Sequence, residues 1–177
     1  LLTFWTNIST AGEKSLYKKL FLTHNLIHVD EVLKPDKNGT YLTQPEKITK
    51  HLPVLMAAFN LSADDLQAIV EDAKLEDKLS LPNLSILYRY RLLSKVLGLR
   101  IPDFIHILPL FRKPFKNAQA TLKFMKRWEK MEDAGFSHQQ LNYIITNYDD
   151  PKKPLAPSQK TTLQLAKTLY DGINAIE

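Results

Sequence analysis

Three short stretches of this chain stop one helix and start the next in the same way, at almost constant spacing. Asn60-Leu61, Gly98-Leu99 and Gly135-Phe136 each set an apolar residue directly after a helix-ending Asn or Gly, and they lie 38 and then 37 residues apart. Each is followed, five, eight and nine positions on, by large apolar residues: Leu66, Ile69 and Val70; Phe104, Ile107 and Leu108; Leu141, Ile144 and Ile145. An apolar residue just before an N-cap packs on the fourth residue of the helix it introduces, forming a hydrophobic staple. The expected staples are Leu61 with Leu66, Leu99 with Phe104, and Phe136 with Leu141. A period of this length is typical of stacked helical pairs. The predicted fold class is therefore all-α, built of stacked antiparallel helical pairs. Residues 80–111 are the clearest unit: a long helix opened by Pro82 and stopped at Gly98, then a shorter one opened by Pro102-Asp103 and ending near Phe111.

The remaining segments sort around these units. Residues 1–11 carry no helical period and read as a strand or a loose end. Residues 13–22 place Leu16, Tyr17, Leu20 and Phe21 on one stripe of an amphipathic helix. The period then breaks, and Asn38-Gly39 between Val32-Leu33 and Tyr41-Leu42 predicts one small β-hairpin near residues 30–43 with a type I′ turn. Pro45 suits a first helical turn, with Pro53 kinking or restarting the helix that runs to Phe59. Ser62 with Asp64-Asp65 makes an N-cap and acidic first turn for a helix to Ala73. Residues 74–80 read as a charged connector and 112–116 as a basic loop. Within 117–134, Leu122, Met125, Trp128, Glu129 and Glu132 step round one face, and Ser137 with Gln140 forms a capping box for 138–147. Three prolines make 149–158 a loop, and 161–176 a last helix. Gly172 lies 37 residues after Gly135, but no following residues test a fourth unit. The expected organisation is one fragment of a larger helical domain: 1–44, 45–148 with the stapled pairs, 149–158, and 159–177.

Composition limits the function classes. A chain of 177 residues with 44% apolar content can bury a core, and it contains no apolar run long enough to span a membrane. It opens on Leu1 rather than Met, as expected of a processed chain or a piece of a longer one, and its first residues are too polar for a signal peptide. Without cysteine there is no disulfide or thiolate chemistry. The net charge of +5, from 24 basic and 19 acidic residues, is spread along the sequence with a slight cluster at 112–130. Such a surplus serves solubility before it serves a polyanion.

Several patterns invite chemical readings. His24 and His28 have metal-ligand spacing near Asp30 and Glu31, but Asn25 stands where a zinc hydrolase needs its Glu, and the segment straddles a helix end. Tyr88-Arg89-Tyr90-Arg91 interleaves aromatic and basic residues as nucleic-acid platforms do. On a helix these four diverge; Leu84, Leu87, Tyr88 and Leu92 make the expected core stripe, with Arg89 solvent-facing or paired. The acidic pairs Asp64-Asp65, Glu71-Asp72, Glu76-Asp77 and Asp149-Asp150 diverge likewise and adjoin no nucleophile or phosphate loop. Trp128 reads as core and Trp5 as core or interface anchor. Asn7, Asn38, Asn60 and Asn83 begin sequons. No catalytic, cofactor-binding or metal residue is expected, leaving the six staple positions as the residues of interest.

Three stretches carry a family resemblance. SLYKKLFL at 15–22, LPNLSILYRYRLLSKVLGL at 81–99, and LNYIITNYDDP with LAPS at 141–158 resemble, in order, the TcA-type A subunits of bacterial insecticidal toxin complexes. Lys18, Tyr90 and Ile144-Ile145-Thr146 depart from that pattern. The resemblance implies a portion of the helical shell of a secreted or cell-surface homopentamer. That shell surrounds a translocation channel through which a cocoon-forming partner delivers a cytotoxic fragment. Membrane contact would then belong to other regions of the parent, and this segment would have structural work, no cofactor and no nucleic-acid partner. A free-standing helical-repeat adaptor is the alternative, and a basic nucleic-acid module a weaker one.

Overall fold

The computed structural model describes residues 2–26 and 28–175. It is helical, with no strand among the described residues. Eight α-helices follow one another: α1 (Leu16–Phe21), α2 (Leu52–Phe59), α3 (Ala63–Ala73), α4 (Leu81–Val96), α5 (Ile101–Phe111), α6 (Ala118–Asp133), α7 (His138–Thr146) and α8 (Gln159–Asn174). Single 3-10 turns stand at Leu2–Phe4, Glu31–Leu33 and Ile48–His51. The chain divides into two compact units, Leu1–Trp128 and Glu129–Glu177, with the division inside α6.

In the first unit, the helix pairs α2–α3 and α4–α5 lie side by side. The first helix of one pair packs on the first helix of the next, and α3 packs on α5. Their core comprises Val54, Leu55, Phe59, Leu66, Ile69, Leu84, Leu87, Tyr90, Phe104 and Ile107, all nearly inaccessible to solvent. Aromatic rings run through it. Phe21 meets Phe59 edge-on at 5.4 Å, Tyr90 meets Phe104 at 5.7 Å, and Phe111 meets Phe124 at 5.6 Å. Such edge contacts place a positive ring edge on a negative face and add to the burial.

The N-terminal stretch is neither a strand nor loose. After its 3-10 turn it is fastened to α4: the Ile8 N–H donates to Ser85 Oγ at 2.9 Å, and Ser85 Oγ donates to the Leu81 carbonyl at 2.6 Å. Arg89 closes the same seam by donating to the carbonyls of Thr3 and Thr6.

Three further expectations differ from the structure. No hairpin forms near residues 30–43: a type I′ turn needs positive φ at both central residues, and only Gly39 has it, at 77°. Asp36 instead organises this turn, its Oδ1 accepting from the Asn38 and Thr40 N–H groups. Pro45 lies outside any helix, and the α-helix begins at Leu52 with Pro53 in its first turn, so Pro53 restarts the chain. The core stripes of α4 and α6 are rotated from those expected. Tyr90 and Leu93 are buried while Tyr88 and Leu92 are half-buried, and Phe124 is buried while Leu122 is exposed.

The second unit holds the end of α6, α7 and α8. Ser137 and Gln140 form the expected capping box of α7, Ser137 Oγ accepting from the Gln140 N–H and Gln140 Oε1 from the Ser137 N–H. The proline-rich loop is ordered by Asp149, whose two carboxylate oxygens accept from the N–H groups of Leu155 and Ala156. Ser158 caps α8; the expected helix end at Ile176 lies outside the described residues.

Candidate functional site: capped joints and an uncovered helix face

The recurrent joints share one backbone geometry. Each first helix ends on a residue with left-handed φ: Asn60 at 50°, Gly98 at 68°, Gly135 at 75°. The next residue's N–H reaches back over the last turn, Leu61 to the Met56 carbonyl at 3.1 Å, Leu99 to Ser94 at 2.9 Å, and Phe136 to Met131 at 3.1 Å. With the inner bonds Asn60 to Ala57, Gly98 to Lys95 and Gly135 to Glu132, these are Schellman caps, which satisfy carbonyls a helix end otherwise leaves open. The residue after the apolar one is in each case the next N-cap: Ser62, Arg100 and Ser137. The three joints are therefore the same turn, left-handed residue, apolar residue, N-cap.

That register places Leu61, Leu99 and Phe136 immediately before their N-caps, and Leu66, Phe104 and Leu141 at the fourth helical position. Their burial is graded. Leu61 and Leu66 are both buried, Phe104 is fully buried while Leu99 is half-exposed, and Phe136 is 43% exposed while Leu141 is half-buried. Arg100 caps without a side-chain bond to the helix backbone. It grips Asp103 instead with two parallel bonds of 2.7 and 2.8 Å.

A fourth Schellman cap escaped the sequence reading. Lys74, at φ 52°, ends α3, with the Leu75 N–H on the Val70 carbonyl at 3.0 Å. Its signal is weak, because a lysine in the left-handed region carries no composition mark comparable to Gly or Asn. The first two joints converge on one open groove of about 410 Å³, in which Leu61, Asp64 and Asp65 face Arg91, Leu99 and Arg100.

The residues with chemical appeal are otherwise engaged or apart. His24 and His28 are exposed in a turn, and no group of three or more His, Cys, Asp or Glu placed to hold a metal ion occurs among the described residues. Asp65 completes the capping box with Ser62. Asp72 Oδ2 accepts from Tyr90 Oη at 2.5 Å and from Lys113 Nζ at 2.9 Å. Burial, and next the bond to Asp72, push the Tyr90 phenol well above the ordinary tyrosine range. Asp77 accepts from the backbone and hydroxyl of Thr49, and the backbone bond is the largest cause holding its carboxyl below the usual range. Trp128 is buried, and Trp5 Nε1 donates to Thr121 Oγ1 at 3.0 Å. Asn83 uses its amide on the carbonyls of Glu76 and Lys78.

The least satisfied surface is α8. Every described residue of it is exposed, and Leu163, Leu165, Leu169, Tyr170 and Ile173 are each 58–67% open to solvent. Leu163, Ala166, Tyr170 and Ile173 follow a three-four-three spacing, the seam by which one helix lies along another. Ile144 and Ile145 on α7 are exposed as well.

The described residues define an all-helical protein, with no strand among them. No protein-family model, curated protein or solved structure matches this chain.

Proposed function

We propose that this chain is a structural segment of a helical shell, whose work is to pack against neighbouring helices. The observation that carries the reading is α8, a sixteen-residue amphipathic helix with its apolar seam uncovered. It follows three helix pairs joined by one recurring turn, so it takes the place of the first helix in a further pair. Side-by-side contacts of α2 with α4 and of α3 with α5 support pairs that run antiparallel and stack in sequence order.

The particular shell we propose is that of the A subunit of a bacterial insecticidal toxin complex. Support comes from the ordered sequence resemblance of residues 15–22, 81–99 and 141–158. In that setting the segment is non-catalytic and its parent is secreted or displayed at the cell surface. Its partners are other A subunits of a homopentamer and the cocoon-forming toxin component. A free-standing adaptor would use the α8 seam for a separate partner. Electron microscopy of the full gene product separates the two. A bell-shaped fivefold particle is the expected image, and a small monomeric product would refute the shell reading.

A further inference from the structure

The slight basic cluster after α5 accounts for the charge surplus of the whole chain. Residues 112–127 hold six basic side chains, Arg112, Lys113, Lys116, Lys123, Lys126 and Arg127, and no acidic one. The rest of the chain carries 18 basic and 19 acidic residues and is close to neutral. All six basic residues are exposed. On α6, Lys123, Lys126 and Arg127 stand at i, i+3 and i+4 and share one face. Arg127 Nη1 donates to the Phe111 carbonyl at 2.8 Å, which brings that face up to Arg112.

Gathering like charge in this way opposes folding. Lys123 and Arg127 lie one turn apart, where equal charges repel. Arg112, Lys116, Lys123 and Lys126 form no hydrogen bond or ion pair among the described residues. Arg112 also ends α5 at φ 68° and ψ 150°, a backbone region that a residue with a Cβ occupies only under strain. No described acidic residue offsets the repulsion at these four side chains.

The surface of α3 carries the opposite pattern. Residues 62–77 hold six acidic side chains against one basic. Asp64 and Glu71 lie two turns apart on one exposed face, with Gln67 between them donating from Nε2 to Glu71 Oε1 at 2.7 Å. Neither carboxylate has an ion pair among the described residues. The two segments already meet at one point, where Lys113 Nζ donates to Asp72 Oδ2 at 2.9 Å. That pair uses the last turn of α3 and leaves both Asp64 and Glu71 and the α6 cations open.

We propose that the basic face of α6, with Arg112, docks on the acidic face of α3 in a second copy of this chain. Each copy carries both halves, so the contact is heterologous: one copy's α6 meets its neighbour's α3. Exposed charge pairs add little one by one, and their complementarity decides which surface is accepted and in what orientation. The proposal deepens the shell reading and rests on it for the presence of a neighbouring copy.

Sedimentation equilibrium of the 177-residue chain at about 25 mM and about 500 mM salt tests the contact, because salt screens exposed pairs. Self-association is expected at the lower salt and should be at least about tenfold weaker at the higher. The double variant Lys123→Glu/Lys126→Glu gives each copy two acidic faces and should stay monomeric. Asp64→Lys/Glu71→Lys gives two basic faces and should also stay monomeric, whereas an equimolar mixture of the two variants should associate again. Should a reversal unfold the chain, Lys123→Gln/Lys126→Gln must still weaken association about tenfold. A wild-type chain that is monomeric at both salts, or folded variants whose mixture stays monomeric, would overturn the proposal. So would a monomeric chain that binds duplex DNA at the lower salt, which would assign the basic face to a polyanion. A fivefold parent particle alongside a monomeric chain would remove this contact and leave the shell reading standing.

Discussion

The phenol of Tyr90 donates to Asp72 across 2.5 Å and so ties the middle of α4 to the last turn of α3. The Lys113 ammonium reaches the same carboxylate oxygen at 2.9 Å, and the Asp72 carbonyl as well, from the loop after α5. One acidic side chain thus joins two successive helix pairs, and the ring that serves it is 2% exposed. Removing only the hydroxyl, in Tyr90→Phe, is expected to lower stability by about 1.5 kcal/mol, as for a hydrogen bond to a charged acceptor. Thermal or urea denaturation measures it.

The same phenol, together with Tyr17, gives the fold an alkaline limit. Burial is the first cause raising both, followed by the bond to Asp72 for Tyr90 and by Tyr41 for Tyr17. A group whose folded value is raised contributes stability fully present below its unfolded value, about 10 for tyrosine. That contribution is lost as pH rises through and above it. The melting temperature should therefore fall from about pH 10 upward, and less steeply in Tyr90→Phe. Absorbance titration should show two of the seven tyrosines ionising only as the protein unfolds.

Lys74 occupies a backbone conformation that favours glycine, at φ 52° and ψ 48° with an exposed side chain. Lys74→Gly is expected to stabilise the chain by about 0.5–1 kcal/mol, because it relieves the left-handed penalty at no cost in packing. Lys74→Val should destabilise it by at least as much. A pair of melting curves checks both signs.

The joints differ in how deeply their apolar residue is set, which predicts unequal sensitivity. Leu61→Asp forces a charge into a buried position and is expected to cost about 2 kcal/mol or more. Leu99→Asp, at the half-buried residue before the N-cap of α5, should cost about as much if Leu99 staples to Phe104. Phe136→Asp, at a position 43% exposed, should cost less than about 1 kcal/mol in the same chain. Equal losses at all three would contradict the graded burial.

The joints were legible in sequence because each uses residues with narrow physical roles. Asn or Gly tolerates the left-handed turn, and Ser62 and Ser137 cap. Asp65 and Gln140 return the bond, so the bounds of α3 and α7 follow almost to the residue. Where a choice rested on periodicity alone it failed by a fraction of a turn. Both Tyr88-Leu92 and Tyr90-Leu93 fit an apolar stripe on α4, and tertiary partners of Tyr90 such as Phe104, Phe115 and Asp72 go with the second. The turn at Asn38-Gly39 was overread because Asp36 supplies a local side-chain alternative to strand pairing. Long-range ties such as Ser85 to Ile8 and His51 to Asp30 leave no mark in local sequence, being partners 77 and 21 positions apart.

The proposal that α8 belongs inside a larger helical shell rests on its uncovered seam, and solvent access at that seam tests it most directly. Hydroxyl-radical labelling of Leu163, Tyr170 and Ile173 can be compared between this 177-residue chain and the assembled full gene product. The shell reading expects strong labelling in the former and at least about tenfold less in the latter, as for side chains moved from surface to core. Equal labelling in both would leave α8 facing solvent in the assembly and would contradict the reading.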